Sequence, residues 1–192
     1  MLPNLLKKEN GKFDDGEDWT AYLESIGDYA QTIDRDFLSQ ICLEHFDRFN
    51  ECFPRFNLQN QKISRVHLTT ATIYSDIRYD HNKIIDFWYS QMDKFLDGIS
   101  QHRYPLLNYC GTEHKWPFPP IIIRHDFGVE LGGKNLGNPY HLIEGTHRVS
   151  FINRLFELKL VEPDTIHEFI VLRSKQIRSS DYWPADQGAV NI

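Results

Sequence analysis

Glu144, Gly145, Thr146, His147 and Arg148 form the segment of this chain best equipped for chemistry. A short apolar strand at 140–143 leads into it, and an amphipathic helix starts within it. Helix N-termini carry unpaired backbone N–H groups and a partial positive charge, and a glycine lets the chain turn sharply there. Arg148 would add a forked cation whose geometry matches phosphate. Those residue types in that order point to an anion or nucleotide site. A plain strand–turn–helix with a solvated arginine accounts for the same residues. Glu144 is suited to act as a general base or to hold Mg²⁺ during phosphoryl transfer, and equally to pair with Arg148. His147 could donate to a phosphate oxygen or serve as a packing or capping residue. Arg124 and Asp126 end the preceding apolar strand, where they could reach the same cleft or form ion pairs of their own, Arg124–Glu144 or Arg124–Asp126.

Other chemistries find less support. Nine histidines invite a metal site, yet no H-E-x-x-H helix and no paired Cys/His spacing occur. His141 and His147 do not have a recognised ligand spacing, and no metal centre is expected. Arg65, His67, Arg78 and His81 could form a second basic rim, or simply a solvated surface. No G-x-S-x-G elbow exists. Thr146 with His147 and Glu144 is a triad in name alone, because sequence neighbours rarely face one another. Cys42, Cys52 and Cys110 are odd in number and scattered, so neither a disulfide framework nor a metal set is implied.

The elements that must position these residues are legible in part. Residues 7–18 are polar and glycine-punctuated. Asp18 could cap a short helix from Trp19 to about Ile26, ended by Gly27. Phe37, Leu38, Ile41, Cys42, Phe46, Phe49 and Phe53 recur at helical steps, predicting one long helix capped by Thr32 or Asp34 and stopped by Pro54. The β-branched run at 63–74 predicts a strand. A helix over 82–96 is expected to pack through Ile84, Ile85, Phe87, Trp88, Met92, Phe95 and Leu96, with Gly98 as its stop. Residues 100–119 read as loop, 119–124 as a buried strand and 127–138 as a glycine-rich hairpin or lid. A strand at 140–143, a helix at 146–160 and a strand at 167–172 follow.

Composition bounds the alternatives. With 41% apolar and 14% aromatic residues, the 192-residue chain should bury one ample core. A formal charge of −6 disfavours a general nucleic-acid binder. The first eight residues lack the apolar core of a signal peptide, and no apolar run reaches membrane-spanning length, so a cytoplasmic location is expected.

Taken in order, these elements resemble the ParB N-terminal/sulfiredoxin-like domain. The matching pieces are the strand at 63–68, the helix at 84–96, the strand at 120–124, the turn from Leu142 through Gly145 to Arg148 with its helix, and the closing strand at 167–172. The resemblance covers 62–173. It implies an α+β fold with a mixed β-sheet and flanking helices, extended by helices at 1–61 and followed by a tail at 174–192. In that family the GxxR turn contacts nucleotide phosphates. Carried over, Gly145 would let the backbone approach the phosphates, Arg148 would pair with them, and Thr146 and His147 would complete the cradle. The implied cofactor is ATP, ADP or CTP with Mg²⁺, and Glu144 and Arg148 would be the catalytic pair.

Departures from the family narrow what the resemblance implies. Sulfiredoxin places its catalytic cysteine where Thr146 stands, and threonine cannot form the sulfur intermediates of that repair. ParB proteins usually carry two adjacent arginines and a helix-turn-helix domain, whereas Val149 follows Arg148 and a short tail follows the last strand. The serine kinases of this group resemble the acidic-Gly-x-His-Arg pattern more closely. The expectation is therefore a nucleotide-binding protein, with NTP hydrolysis or phosphoryl transfer to a small molecule or protein as its reaction. The alternative is a non-catalytic bacterial interaction, defence or immunity protein keeping the fold. A DNA-associated regulator is disfavoured by the charge. The acceptor and the oligomeric state are left open by the sequence.

Overall fold

The computed structural model describes residues 2–3, 6–7, 19–79, 82–99, 104–124 and 137–174. Short helices come first: α1 (Trp19–Ile26), α2 (Tyr29–Thr32) and α3 (Arg35–Phe37), a π-helical segment (Leu38–Leu43) and α4 (Phe46–Cys52). The rest is β1 (Gln61–Thr69), α5 (Thr70–Asp76), β2 (Ile77–Arg78), α6 (Asn82–Leu96), α7 (Pro105–Glu113), β3 (Ile121–Arg124), β4 (Tyr140–Glu144), α8 (Thr146–Glu157) and β5 (Ile166–Ser174).

The five strands make one mixed sheet in the order β1-β5-β3-β4-β2. The β1/β5 and β3/β4 pairs are antiparallel, while β3/β5 and β2/β4 are parallel. β3 is central, which explains its unbroken run of three isoleucines: a strand covered on both faces has no solvent side to make polar. α8 packs against α5, α6 and α7. Such a helix buries most of its circumference, here including Arg148, Ser150 and Asn153. One core cluster runs from the N-terminal helices into the sheet. Phe37, Phe49 and Phe56 meet edge-on within it.

The α+β class expected from the sequence is thus observed, a mixed sheet with flanking helices. Four expectations for individual elements are corrected. The long N-terminal helix is broken: Asp34 caps α3 by accepting from the backbone N–H of Asp36 and Phe37, a π-helical stretch follows, and His45 leaves helical geometry before α4. The β-branched run at 63–74 stays extended only to Thr69. The Thr69 hydroxyl accepts from the Thr72 N–H and starts α5, so tertiary packing against α8 outweighs the strand preference of Thr70, Thr72 and Ile73. Residues 105–113 form a helix because Pro105 occupies its first turn, where its missing N–H would have been unpaired anyway. Gly111 lets α7 approach α6, since a Cβ there would lie 2.2 Å from the Phe95 ring. α8 ends at Glu157, with Lys159 at φ 59, so Leu160 stays exposed.

On α6, Met92 is buried, but Ile84, Phe87 and Leu96 are exposed. The expected hairpin at 127–138 and the tail lie almost wholly outside the described residues, as do Asp126 and His81. No helix among the described residues is long and apolar enough to cross a membrane.

Candidate functional site

β4 delivers the chain to Gly145, and α8 carries it away. Gly145 adopts φ 105, and a Cβ built there would lie 2.5 Å from the Pro120 Cβ. Glycine is therefore required twice, once by the left-handed backbone and once by the close pass over the residue preceding β3. A register shift between Ile121 and Ile122 sits beside the same turn, opposite Glu144. Such bulges re-aim side chains at strand ends.

Arg148 turns inward and is 2% exposed. Its Nη1 donates to the Phe118 carbonyl at 3.1 Å and its Nη2 to Gln40 Oε1 at 2.6 Å. Nη2 also donates to Glu144 Oε2, and the guanidinium lies 4.5 Å from the centre of the Phe118 ring. Gln40 completes the knot by donating from Nε2 to the Pro119 carbonyl at 3.0 Å. Burial draws the Arg148 pKa below the usual arginine value, and the Glu144 carboxylate opposes that shift. Arginine's planar fork suits this use, since each N–H is aimed at a fixed acceptor.

Thr146 and His147 point the other way. Together with His45, Arg48, Tyr79 and Glu144 they form the polar part of a cavity of about 290 Å³. Ile41, Phe49, Phe53, Leu142 and Ile143 supply its apolar wall. The first N–H groups of α8 belong to the residues at this wall. His147 is exposed on one side, and its ring lies 3.8 Å from that of Trp88, centre to centre. Covering of the ring, followed by the charges of Arg148 and His45, pushes the His147 pKa down to about 4. The imidazole is thus neutral at physiological pH and can accept a hydrogen bond or donate one. His45 Nε2 stands 4.0 Å from Glu144 Oε1, too far for a direct hydrogen bond.

The structure therefore brings together Glu144, Gly145, Thr146, His147 and Arg148, but divides them. Arg148 holds the turn from behind, while Glu144, Gly145, Thr146 and His147 line the cavity. Arg124 is not part of this wall: the β3/β4 register sets it opposite Tyr140, at the far end of the strand pair from the turn. Among the expected second rim, Arg65 is bound by Asp34, Asp36 and Glu168, and Arg78 donates to the Ser75 carbonyl. His141 is buried, its Nδ1 accepting from the Gly137 N–H. Burial pushes the Cys42 and Cys110 thiols up to about 12, which keeps them protonated.

Sequence reasoning missed Gln40, His45 and Arg48. His45, Arg48 and Cys52 recur at three- and four-residue steps, a weak polar stripe on an otherwise aromatic helix, and that was the one available signal. Among the described residues no group of three or more His, Cys, Asp or Glu side chains is placed to hold a metal ion. Glu144 is the single carboxylate that the described residues place in the cavity wall, so Mg²⁺ there would depend chiefly on ligand phosphates and water. Comparison of the chain with protein-family models, with curated proteins and with solved structures finds no match.

Proposed function

We propose that this chain is a nucleotide-binding protein of the ParB/sulfiredoxin-like type, with its ligand in the cavity at the Gly145–Arg148 turn. The observation that carries this reading is the cavity itself: an apolar aromatic wall faces a helix N-terminus with Thr146 and His147 at its rim. An amphiphilic anion fits such lining, its phosphates toward α8 and its base against the phenylalanines. The volume lies at the lower end for small-molecule sites, which suits part of a nucleotide better than a whole triphosphate. Mg²⁺ would enter with the phosphates, and NTP hydrolysis or phosphoryl transfer to a small molecule or protein is the reaction such a complex would serve. Glu144 is the candidate base in that scheme, through Oε1, because Oε2 is held by Arg148.

The test is a thermal shift of the full chain with ATP, ADP, CTP and GTP, each with and without Mg²⁺. A ligand at about a hundred times its Kd should raise the Tm by roughly 5–10 °C in a protein of this size. Thr146→Phe, which fills the cavity from its rim, should abolish the rise. If no nucleotide shifts the wild type, the reading is wrong. Labelled-phosphate release then separates an enzyme from a nucleotide sensor.

A second reading, a non-catalytic interaction protein, is favoured by one feature. Phe87 is 50% exposed on α6, with Ile84 and Tyr104 also open to solvent. A flat titration with every nucleotide would move the weight to this reading.

A further inference from the structure

Two arginines stand near the cavity, and they differ in what they have left to give. Arg148 has its Nη atoms committed to Phe118, Gln40 and Glu144, behind the wall. A phosphate could reach it only by dismantling those bonds and exposing a buried ion pair, a penalty that ordinary binding does not recover. Arg48 lies on α4, lines the cavity and is exposed. No hydrogen bond or ion pair ties it to another described residue. His45, one turn earlier on the same face, lines the cavity beside it.

Resting on the nucleotide reading above, we infer that Arg48 is the cation that receives the ligand's phosphate, with His45 beside it. The site is then built jointly by the N-terminal helices and the α8 turn.

The charge balance of the wall leads to the same residue. Among the described residues Glu144 is the only acidic side chain lining the cavity, and Arg148 neutralises it from behind. Arg48 is the only Lys or Arg among the described residues of that lining, so its charge favours an anion there. Its guanidinium offers paired N–H groups to phosphate oxygens, across from the backbone N–H groups of the α8 turn. The motif arginine holds the turn, and an arginine from outside the motif meets the anion.

The experiment is an equilibrium titration of the full chain with ATP, ADP, CTP and inorganic phosphate, at low and at physiological ionic strength. It uses wild type, Arg48→Gln and Arg55→Gln. Arg55 is exposed and outside the cavity wall, so its variant makes the same change in net charge. R48Q should weaken the best ligand about tenfold or more and flatten its salt dependence. R55Q should change affinity by less than about twofold, as expected of a screened remote charge. Unliganded R48Q should melt with the wild type, since Arg48 holds nothing in place. If a nucleotide binds wild type and R48Q alike, or R48Q and R55Q lose equally, the inference falls while the binding reading stands. If none of these ligands binds wild type, and GTP gives no thermal shift either, both fall. Tight binding of inorganic phosphate with the same R48Q loss keeps the role of Arg48 and makes the free anion the ligand.

Discussion

Arg148 and Arg65 both reach from the α/β part of the chain to the N-terminal helices, in opposite surroundings. Arg148 is sealed in, and each of its acceptors depends on it. The Arg65 side chain is 38% exposed and gathers three carboxylates, Asp34, Asp36 and Glu168, at 2.6–3.2 Å. The crowded cluster has more ion pairs, and the buried knot should matter more. Water can replace Arg65, whereas the buried Gln40 amide and the Glu144 oxygen bonded to Arg148 lose their partner where bulk water has little access.

The sharpest way to break this comparison is to remove each arginine. Arg148→Ala should cost about 3–5 kcal/mol of stability, because it strands a carboxylate against a desolvated pocket. In a chain of this length that is a Tm loss of about 6–20 °C. Adding Glu144→Gln to an Arg148→Met background should recover part of the loss, because the uncompensated charge is then absent. Urea unfolding checks both. If R148A proves no worse than R65A, the knot is not what docks α8 to the N-terminal helices.

The same asymmetry explains what the sequence revealed. The turn, α6 with its Gly98 stop, and the isoleucine strand β3 were legible because their signals are local: a glycine, a helical period, an apolar run. α7 was hidden because Pro105 reads as a breaker and acts as a first-turn residue. α5 was hidden because Thr70, Thr72 and Ile73 favour strands until Thr69 caps them into a helix. The residue types of the turn suit a phosphate cradle, yet its arginine is occupied with packing. No local pattern could show that: Gln40 lies 108 residues from Arg148 and Phe118 lies 30 away. Arg48 joins the same wall through tertiary docking alone, so its place could not be read from its neighbours in sequence.

Adjacent residues on β5 sharpen the contrast between interior and surface. Glu168 faces out to Arg65, while His167 faces in, since successive strand side chains alternate. His167 Nε2 is 2.9 Å from the Thr70 hydroxyl, and its ring lies 4.7 Å from Trp116. Burial, helped by the charge of Lys115, pushes its pKa from 6.5 down to about 4. The unfolded chain therefore binds the proton first as pH falls. The contribution of neutral His167 is complete above about pH 6.5 and is lost as pH drops towards 4, to a total of about 3 kcal/mol. His167→Gln should reduce the slope of the stability profile between about pH 6.5 and 5.5, above the range where most carboxylates titrate, with His147 supplying part of the slope that is left. An unchanged acid limb in H167Q would assign that loss to other groups.

The smallest expected effect lies at Arg65. Arg65→Ala should cost about 1 kcal/mol or less, since its carboxylates hydrate when it leaves. Asp34 keeps its second task, accepting the Asp36 and Phe37 N–H groups at the start of α3, so the helix cap survives the substitution. Salt makes the distinction quantitative. Raising ionic strength should shrink the R65A penalty towards zero, because the pair it removes is already screened, and leave the R148A penalty nearly unchanged. Equal salt dependence of the two variants would mean that solvent reaches Arg148.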